Sequence, residues 1–126
     1  HDLVKENSLK QLKYCKSYGV NKISTVCNLY SRESLKRVIP FCKKNKIFIY
    51  GRMPLAKGLL TGKYSNEKIF NKFDPRFQNL KLTKKIMNFS KTIKNLSAPK
   101  AVSWSLKNCD KVVLGFKSID QIKDFR

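Results

Sequence analysis

The sequence predicts an α/β fold in which helices alternate with short parallel strands, as in a segment of a larger barrel. Three observations predict it. Helical periodicity alternates with short apolar runs. Two helix-turn-strand units, YCKSYGVNKIST and FCKKNKIFIYG, echo each other. The strand candidates are too few to close a sheet around a core.

The elements follow in order. Ser8 and Gln11 have capping-box spacing, Leu9, Leu12 and Cys15 follow at helical spacing, and Gly19 supplies a stop. Ile23 to Cys27 reads as a buried strand. Leu35, Val38, Ile39 and Cys42 mark one helix face, which Pro40 should kink or end early. Asn45 is a possible cap before a second strand, Ile47 to Tyr50, ended by Gly51. From 51 to about 82, prolines, glycines and Asn66 break the pattern, and a loop that long is usually functional or disordered. Thr83 is a possible cap for a helix carrying Ile86, Phe89, Ile93 and Leu96. Ser97 caps another helix, with Pro99 in its first turn, running to about Asn108. Lys111 to Leu114 is a third strand, and Ser118 with Gln121 opens a last helix to Arg126. Such strands expect cover on both faces, so the chain alone should be poorly soluble or oligomeric.

Composition narrows the function classes. The 126 residues suffice for one domain, and an apolar fraction of 41% can build a core. The formal charge of +20 raises nucleic acid as a partner. Yet lysines outnumber arginines 23 to 5 and are spread along the chain, whereas base readers favour the arginine fork. The charge therefore reads as solvated lysines, with no specific nucleic-acid partner. Cys15, Cys27, Cys42 and Cys109 have no CxxC spacing and the single histidine is His1, so no metal site is expected. They read as buried free thiols of a reducing, cytoplasmic compartment. No apolar run reaches the ~18 residues of a membrane span.

The segment Arg52-Met-Pro-Leu-Ala-Lys-Gly-Leu-Leu-Thr-Gly-Lys-Tyr64 carries the chemistry. It is not an ATP-type phosphate loop, because only three residues separate Gly58 from Gly62 and Tyr64 stands where Ser or Thr should follow the lysine. It does follow a strand, where parallel α/β folds place ligands, and Lys57 and Lys63 add positive charge. Lys117 and Ser118, between the third strand and a helix start, form a second candidate anion site. Read singly, Ser118 is as well explained as a plain helix cap.

RMPLAKGLLTGKY resembles the Y-S-P-L-x-x-G-L-L-T-G-K-Y segment of the aldo-keto reductases. Cys27-Asn28-Leu29-Tyr30-Ser31-Arg32 resembles that family's Y-N-L-x-x-R. The stretch from Ser97 to Trp104 resembles its S-x-A-Q-x-A-L-x-W helix, and Gly115 to Gln121 its G-x-K-S-x-E-Q motif. These motifs stand in family order and cover nearly the whole chain. The resemblance implies the C-terminal half of a (β/α)8 TIM barrel spanning residues 1–126, with barrel strands six to eight at 22–27, 47–51 and 111–115. It implies an NADP(H)-dependent oxidoreductase that reduces a small aldehyde or ketone. By carry-over, the loop from Arg52 to Lys63 would wrap the pyrophosphate, through Met53, Pro54, Leu55, Ala56 and Lys57. Lys117 and Ser118 would hold the 2′-phosphate, with Gln121 and Asp124 on the adenine side. Ser24 stands where the family has a glutamine on the nicotinamide carboxamide, Arg52 where an aromatic stacks on that ring, and Phe125 where an asparagine is expected.

The family's catalytic Asp, Tyr, Lys and His motifs have no counterpart in this chain, so no catalytic residue is assigned. The segment alone is expected to be inactive, since carbonyl reduction needs an acid to protonate oxygen. Two further readings remain open: a non-catalytic, reductase-like regulatory subunit, favoured by Ser24 and Arg52, and a basic nucleic-acid binder, which lacks a recognition motif.

Overall fold

In the computed structural model, residues 7–64, 74, 78–123 and 125 are described. Three strands form one parallel sheet in chain order: β1 (Lys22–Val26), β2 (Phe48–Arg52) and β3 (Lys111–Val112). Helix α1 (Asn7–Ser17) precedes β1. The short α2 (Glu33–Lys36) and α3 (Val38–Lys44) join β1 to β2, and α4 (Leu80–Lys91) and α5 (Ala98–Leu106) lie between β2 and β3. The five-residue α6 (Ile119–Lys123) follows. Parallel neighbours joined through helices are an arc of a barrel, not a closed one.

Local chemistry explains where the elements depart from expectation. Helix α1 already includes Asn7, so Ser8 lies inside it and is not the residue before it. Gly19 stops it as expected, at φ 78°, with its N–H donating to the Lys16 carbonyl at 2.9 Å. The break between α2 and α3 falls at Arg37, not at Pro40. Pro40 is the third residue of α3, where a backbone N–H would have no helical partner, so the ring costs nothing there. Asn45 closes α3 as expected. Asn79, not Thr83, caps α4, its side chain accepting the Leu82 N–H at 3.0 Å; Thr83 instead donates to the Asn79 carbonyl. Ser97 caps α5 as the sequence implies. The expected Asn66 and Pro75 turns, and the end of the last helix at 124 and 126, lie outside the described residues.

Gly51 does not end β2; it is the fourth of its five residues. A Cβ there would stand 2.9 Å from the Cys109 sulfur and 3.6 Å from the Cys27 Cβ. Glycine is required because two cysteines close over the strand from either side. The two thiols interact, which lowers the pKa of Cys27 and raises that of Cys109. All four cysteines are free; Cys27, Cys42 and Cys109 are buried and Cys15 is half-buried.

The strands expected to be buried on both faces are covered on one. Thr25, Ile49 and Gly51 face inward, and a core of Leu12, Val38, Ile39, Cys42 and Ile47 closes around Ile49. The alternate residues Ser24, Phe48, Tyr50 and Arg52 lie on the other face, exposed or half-buried, with the Phe48 and Tyr50 rings 5.0 Å apart. A second core joins Leu29, Leu59, Leu60, Ile86, Met87 and Ala101. Trp104 packs against both cores, and the Arg32 guanidinium lies 5.5 Å from its ring centre. The buried hydroxyl of Ser105 donates to the Cys27 carbonyl at 2.9 Å, tying α5 to the end of β1.

Candidate functional site

The site is built by the loop that leaves β2. Three non-glycine residues in it adopt left-handed backbone angles: Met53 (φ 56°), Ala56 (φ 45°) and Lys57 (φ 62°). Each costs roughly 1–2 kcal/mol, so the surrounding structure must hold them. Asn28 does much of this. Its buried side chain donates to the Met53 carbonyl at 3.0 Å and accepts the N–H groups of Tyr30 (3.1 Å) and Ser31 (2.7 Å). One amide thus fixes the loop after β1 and bolts the loop after β2 to it.

Leu59 and Leu60, almost fully buried, then plug the loop into the second core. Gly62 completes the anchor. Its φ is 78°, and a Cβ there would sit 2.2 Å from the Leu96 carbonyl oxygen. The glycine that resembles part of a phosphate loop is needed for close backbone approach. The loop also consumes many of its own donors. Ala56, Gly58, Leu59, Leu60 and Thr61 all donate their N–H to carbonyls within it. An anion would therefore meet lysine side chains more than those N–H groups.

Between this loop and the segment 113–125 lies a cleft of about 410 Å³. That is within the ~300–1,000 Å³ typical of small-molecule sites. Met53, Pro54, Leu55, Lys57, Lys63, Lys117 and Gln121, all expected from the sequence, line it together. Lys57, Lys63 and Lys117 are exposed, and no Asp or Glu is among the described lining residues, so the described lining is cationic. Ala56 is buried behind the lining and packs in the second core. Ser118 is exposed beside Lys117 but outside the lining. Asp124 lies outside the described residues.

Ser24 and Arg52 are not brought into the cleft. They sit on the open face of the sheet, Ser24 in register with Tyr50 and Arg52 with Val26. The expected anion site at Lys117 also needs correction. The Lys117 N–H is not available, because the Gln121 side chain accepts it at 2.8 Å. Gln121 therefore acts first as a brace for the turn into α6. Sequence reading missed Asn28 as the tie between loops, and Tyr64, Phe116 and Phe125 as lining. Their only signal was position: an Asn just after a strand, and rings flanking Lys117.

No tyrosine has the setting of a proton donor among the described residues. Tyr14 on α1 and Tyr18 just after it pair with each other at the surface, Tyr30 packs edge-on against Phe89, Tyr50 lies against Phe48, and Tyr64 lines the cleft with no acid or histidine among the described lining residues.

The family model described as "Aldo/keto reductase family" matches residues 4–125. This chain belongs to the aldo/keto reductase family. It is similar to two Schizosaccharomyces pombe proteins named as aryl-alcohol dehydrogenases, at 28% and 27% identity over 106 residues, in each case 77% of this chain. It is also similar to the aldo-keto reductase YhdN of Bacillus subtilis, 43% identical over 58 residues, 40% of this chain and 17% of that protein. The matches cover only 30% and 33% of the two yeast relatives, so this aldo/keto reductase chain spans about a third of their length. An arc of three parallel strands is what such a share of a barrel provides. No helix among the described residues is long and apolar enough to cross a membrane.

Proposed function

We propose that this chain is the cofactor-binding part of an NADP(H)-dependent carbonyl reductase. The observation that carries the reading is the cleft, which brings Lys57, Lys63 and Lys117 into one lining with no Asp or Glu among the described lining residues. A dinucleotide phosphate needs what this cleft offers: cationic side chains for its phosphates and apolar surface (Pro54, Leu55, Val113, Leu114, Phe116) for its rings. The loop from Met53 to Lys63 would hold the pyrophosphate. Lys117 and the Ser118 hydroxyl would hold the 2′-phosphate. Arg52 and Ser24, at the open sheet face, would stand nearer the nicotinamide than the phosphates. When bound, the reduced cofactor would supply the hydride for an aldehyde or ketone. The groups that protonate the carbonyl oxygen are not assigned to this chain, and whole-protein turnover depends on them.

Titration of the full chain with NADPH by calorimetry tests the reading. Lys117→Glu should weaken binding at least about tenfold, since a charge-assisted contact is replaced by repulsion. Gly115→Leu places a side chain where a Cβ meets nothing within 4 Å, at the lining of the cleft. It should weaken NADPH without unfolding the protein. A wild-type chain that shows no saturable binding overturns the proposal. Ser24 and Arg52, standing where the resemblance expects a glutamine and a stacking aromatic, favour a second reading, a nucleotide-binding regulatory subunit. Aldehyde reduction by the complete protein would exclude it.

A further inference from the structure

Cys27 follows β1 and Cys109 lies just before β3, and the two side chains meet over the strand between them, at Gly51. We propose that Cys27 and Cys109 are a redox pair: a small hydroperoxide such as hydrogen peroxide joins them in a reversible disulfide that locks the scaffold behind the cleft. The pair's chemistry does not depend on what the cleft binds.

The placement carries it. A Cβ at Gly51 would lie 2.9 Å from the Cys109 sulfur, 3.3 Å from the Cys109 Cβ and 3.6 Å from the Cys27 Cβ. Both cysteines therefore converge on the one spot that a side chain of β2 would otherwise fill. A disulfide needs two β-carbons brought close with their sulfurs turned toward each other, and these two free thiols already interact. Cys27 is fully buried and Cys109 is 7% exposed, so only a small oxidant reaches them.

The two sulfurs are unequal. The Cys27 side chain, burial and the Asp110 carboxylate hold Cys109 in its protonated form, whereas Cys109 and the Ser34 hydroxyl shift Cys27 downward despite burial. Cys27 is the nucleophile and Cys109 the resolving thiol. Cys27 gives up its proton and its sulfur takes one peroxide oxygen as the O–O bond breaks; the departing hydroxide collects that proton and leaves as water. The Cys109 sulfur then attacks the sulfenic Cys27 sulfur. The S–S bond forms, the S–O bond breaks, and the Cys109 proton leaves with the hydroxide as a second water. Two thiols are oxidised and one peroxide is reduced. A dithiol returns the two electrons and two protons by exchange.

The bond would close a loop of ~80 residues that contains the Met53–Tyr64 loop and the whole second core. Cys27 also adjoins Asn28, which holds the Met53 carbonyl, and its own carbonyl accepts the Ser105 hydroxyl. Oxidation therefore braces the ties that position the cleft loop.

The test is oxidation of the folded full chain with one equivalent of hydrogen peroxide, then proteolysis and mass spectrometry. The expected product is a cross-linked pair of peptides carrying Cys27 and Cys109, with two of the four thiols lost. The urea midpoint should rise by about 1–2 M and return with dithiothreitol. Oxidised glutathione should give at least about tenfold less of this cross-link, and equal yield overturns the restriction to small oxidants. In Cys109→Ala the reaction should stop at a Cys27 sulfenic acid that dimedone captures, while in Cys27→Ala the Cys109 thiol should survive; capture at Cys109 instead overturns the assigned roles. Cross-links that run through Cys15 or Cys42, or sulfinic acid at Cys27 without a cross-link, overturn the pair. So does a cross-linking rate that follows the unfolded fraction in dilute urea, because the thiols would then meet only in the unfolded chain. The wild-type mapping needs no substitution and decides the matter even where a variant fails to fold.

Discussion

Replacing Gly62 with alanine should destabilise the protein severely, although the position lies in an exposed loop. The Cβ would be 2.2 Å from the Leu96 carbonyl oxygen, where ordinary contact needs well over 3 Å. The obstacle is backbone, so no side chain can swing aside. The φ of 78° adds a left-handed penalty of roughly 1–2 kcal/mol for a residue with a Cβ. Forcing the loop away from Leu96 adds about 1–3 kcal/mol, the usual cost of overpacking. The sum, roughly 2–5 kcal/mol, is a large share of the ~5–15 kcal/mol that holds a domain together. The single tryptophan, Trp104, packs against both cores and reports their loss. Urea melts followed by its fluorescence, at equal protein concentration, should show the midpoint falling by about 1–2.5 M, given a slope near 2 kcal/mol per molar urea. Gly115→Ala, where a Cβ meets nothing, is the control and should leave the midpoint nearly unchanged. A Gly62→Ala midpoint within about 0.3 M of wild type would refute the close-approach account and return Gly62 to the phosphate reading.

Asn28→Ala should cost about 2–4 kcal/mol in the same melt, because two N–H groups and one carbonyl lose their partner, and NADPH affinity should fall with it. Lys117→Ala should reduce the preference for NADPH over NADH by about five- to twentyfold, measured as the ratio of dissociation constants, since the cofactors differ only in the 2′-phosphate. Burial, aided by Asp110, pushes the Cys42 thiol up to about 11. Because the folded pKa is raised, stability is full below the unfolded value near 9 and declines as pH rises toward 11. Cys42→Ala should flatten that decline by up to about 2 kcal/mol, read as the difference between variants so that lysine and tyrosine titrations cancel. In sizing, the chain should elute larger than a monomer and sharpen on mild denaturation, because Phe48, Tyr50 and Val113 leave apolar surface uncovered.

Much of the fold was legible because it rests on local rules. The 3.6-residue period of Leu35, Val38, Ile39 and Cys42 survives the break at Arg37, since both short helices keep the same face inward. Gly19 and Ser97 end and begin helices for reasons contained within a few residues. What the sequence misplaced depends on partners far along the chain. Gly51 reads as a stop until Cys109, 58 positions away, is seen lying over it. Gly62 reads as phosphate chemistry until Leu96 is seen against it. Likewise, Lys117 reads as a free anion donor until Gln121 takes its N–H. In the cleft, the motif positions from Met53 to Lys63 were readable, because strand-to-loop junctions in parallel sheets point one way. Phe116 and Phe125 were not, because a ring in the sequence looks the same whether it faces a core or a cleft.

The two faces of the sheet divide the work. The helix-covered face carries the first core; the second core, which includes no strand residue, anchors the Met53–Lys63 loop through Leu59 and Leu60, helped by Asn28 and Gly62, and none of these four lines the cleft. The lining residues can then be strained, exposed and cationic, because their positions are fixed from behind. Met53 and Lys57 line the cleft with left-handed backbone angles, which the loop can sustain because it is fixed from behind. On the nucleotide reading, a ligand that binds only the folded chain should tighten the fold as well as fill the cleft. On the proposed reading, the anchored loop would hold the nucleotide, and the open face, with Ser24, Tyr50 and Arg52, would be where a carbonyl and its proton donor meet. Holding and reacting are thus separable in this chain. Saturating NADPH should raise the urea midpoint even if no aldehyde is ever reduced, and the rise should follow RT ln(1 + [L]/Kd). A midpoint indifferent to NADPH at a hundred times its measured Kd would mean that the ligand binds the unfolded and folded chains alike, and the anchored cleft would not be its site.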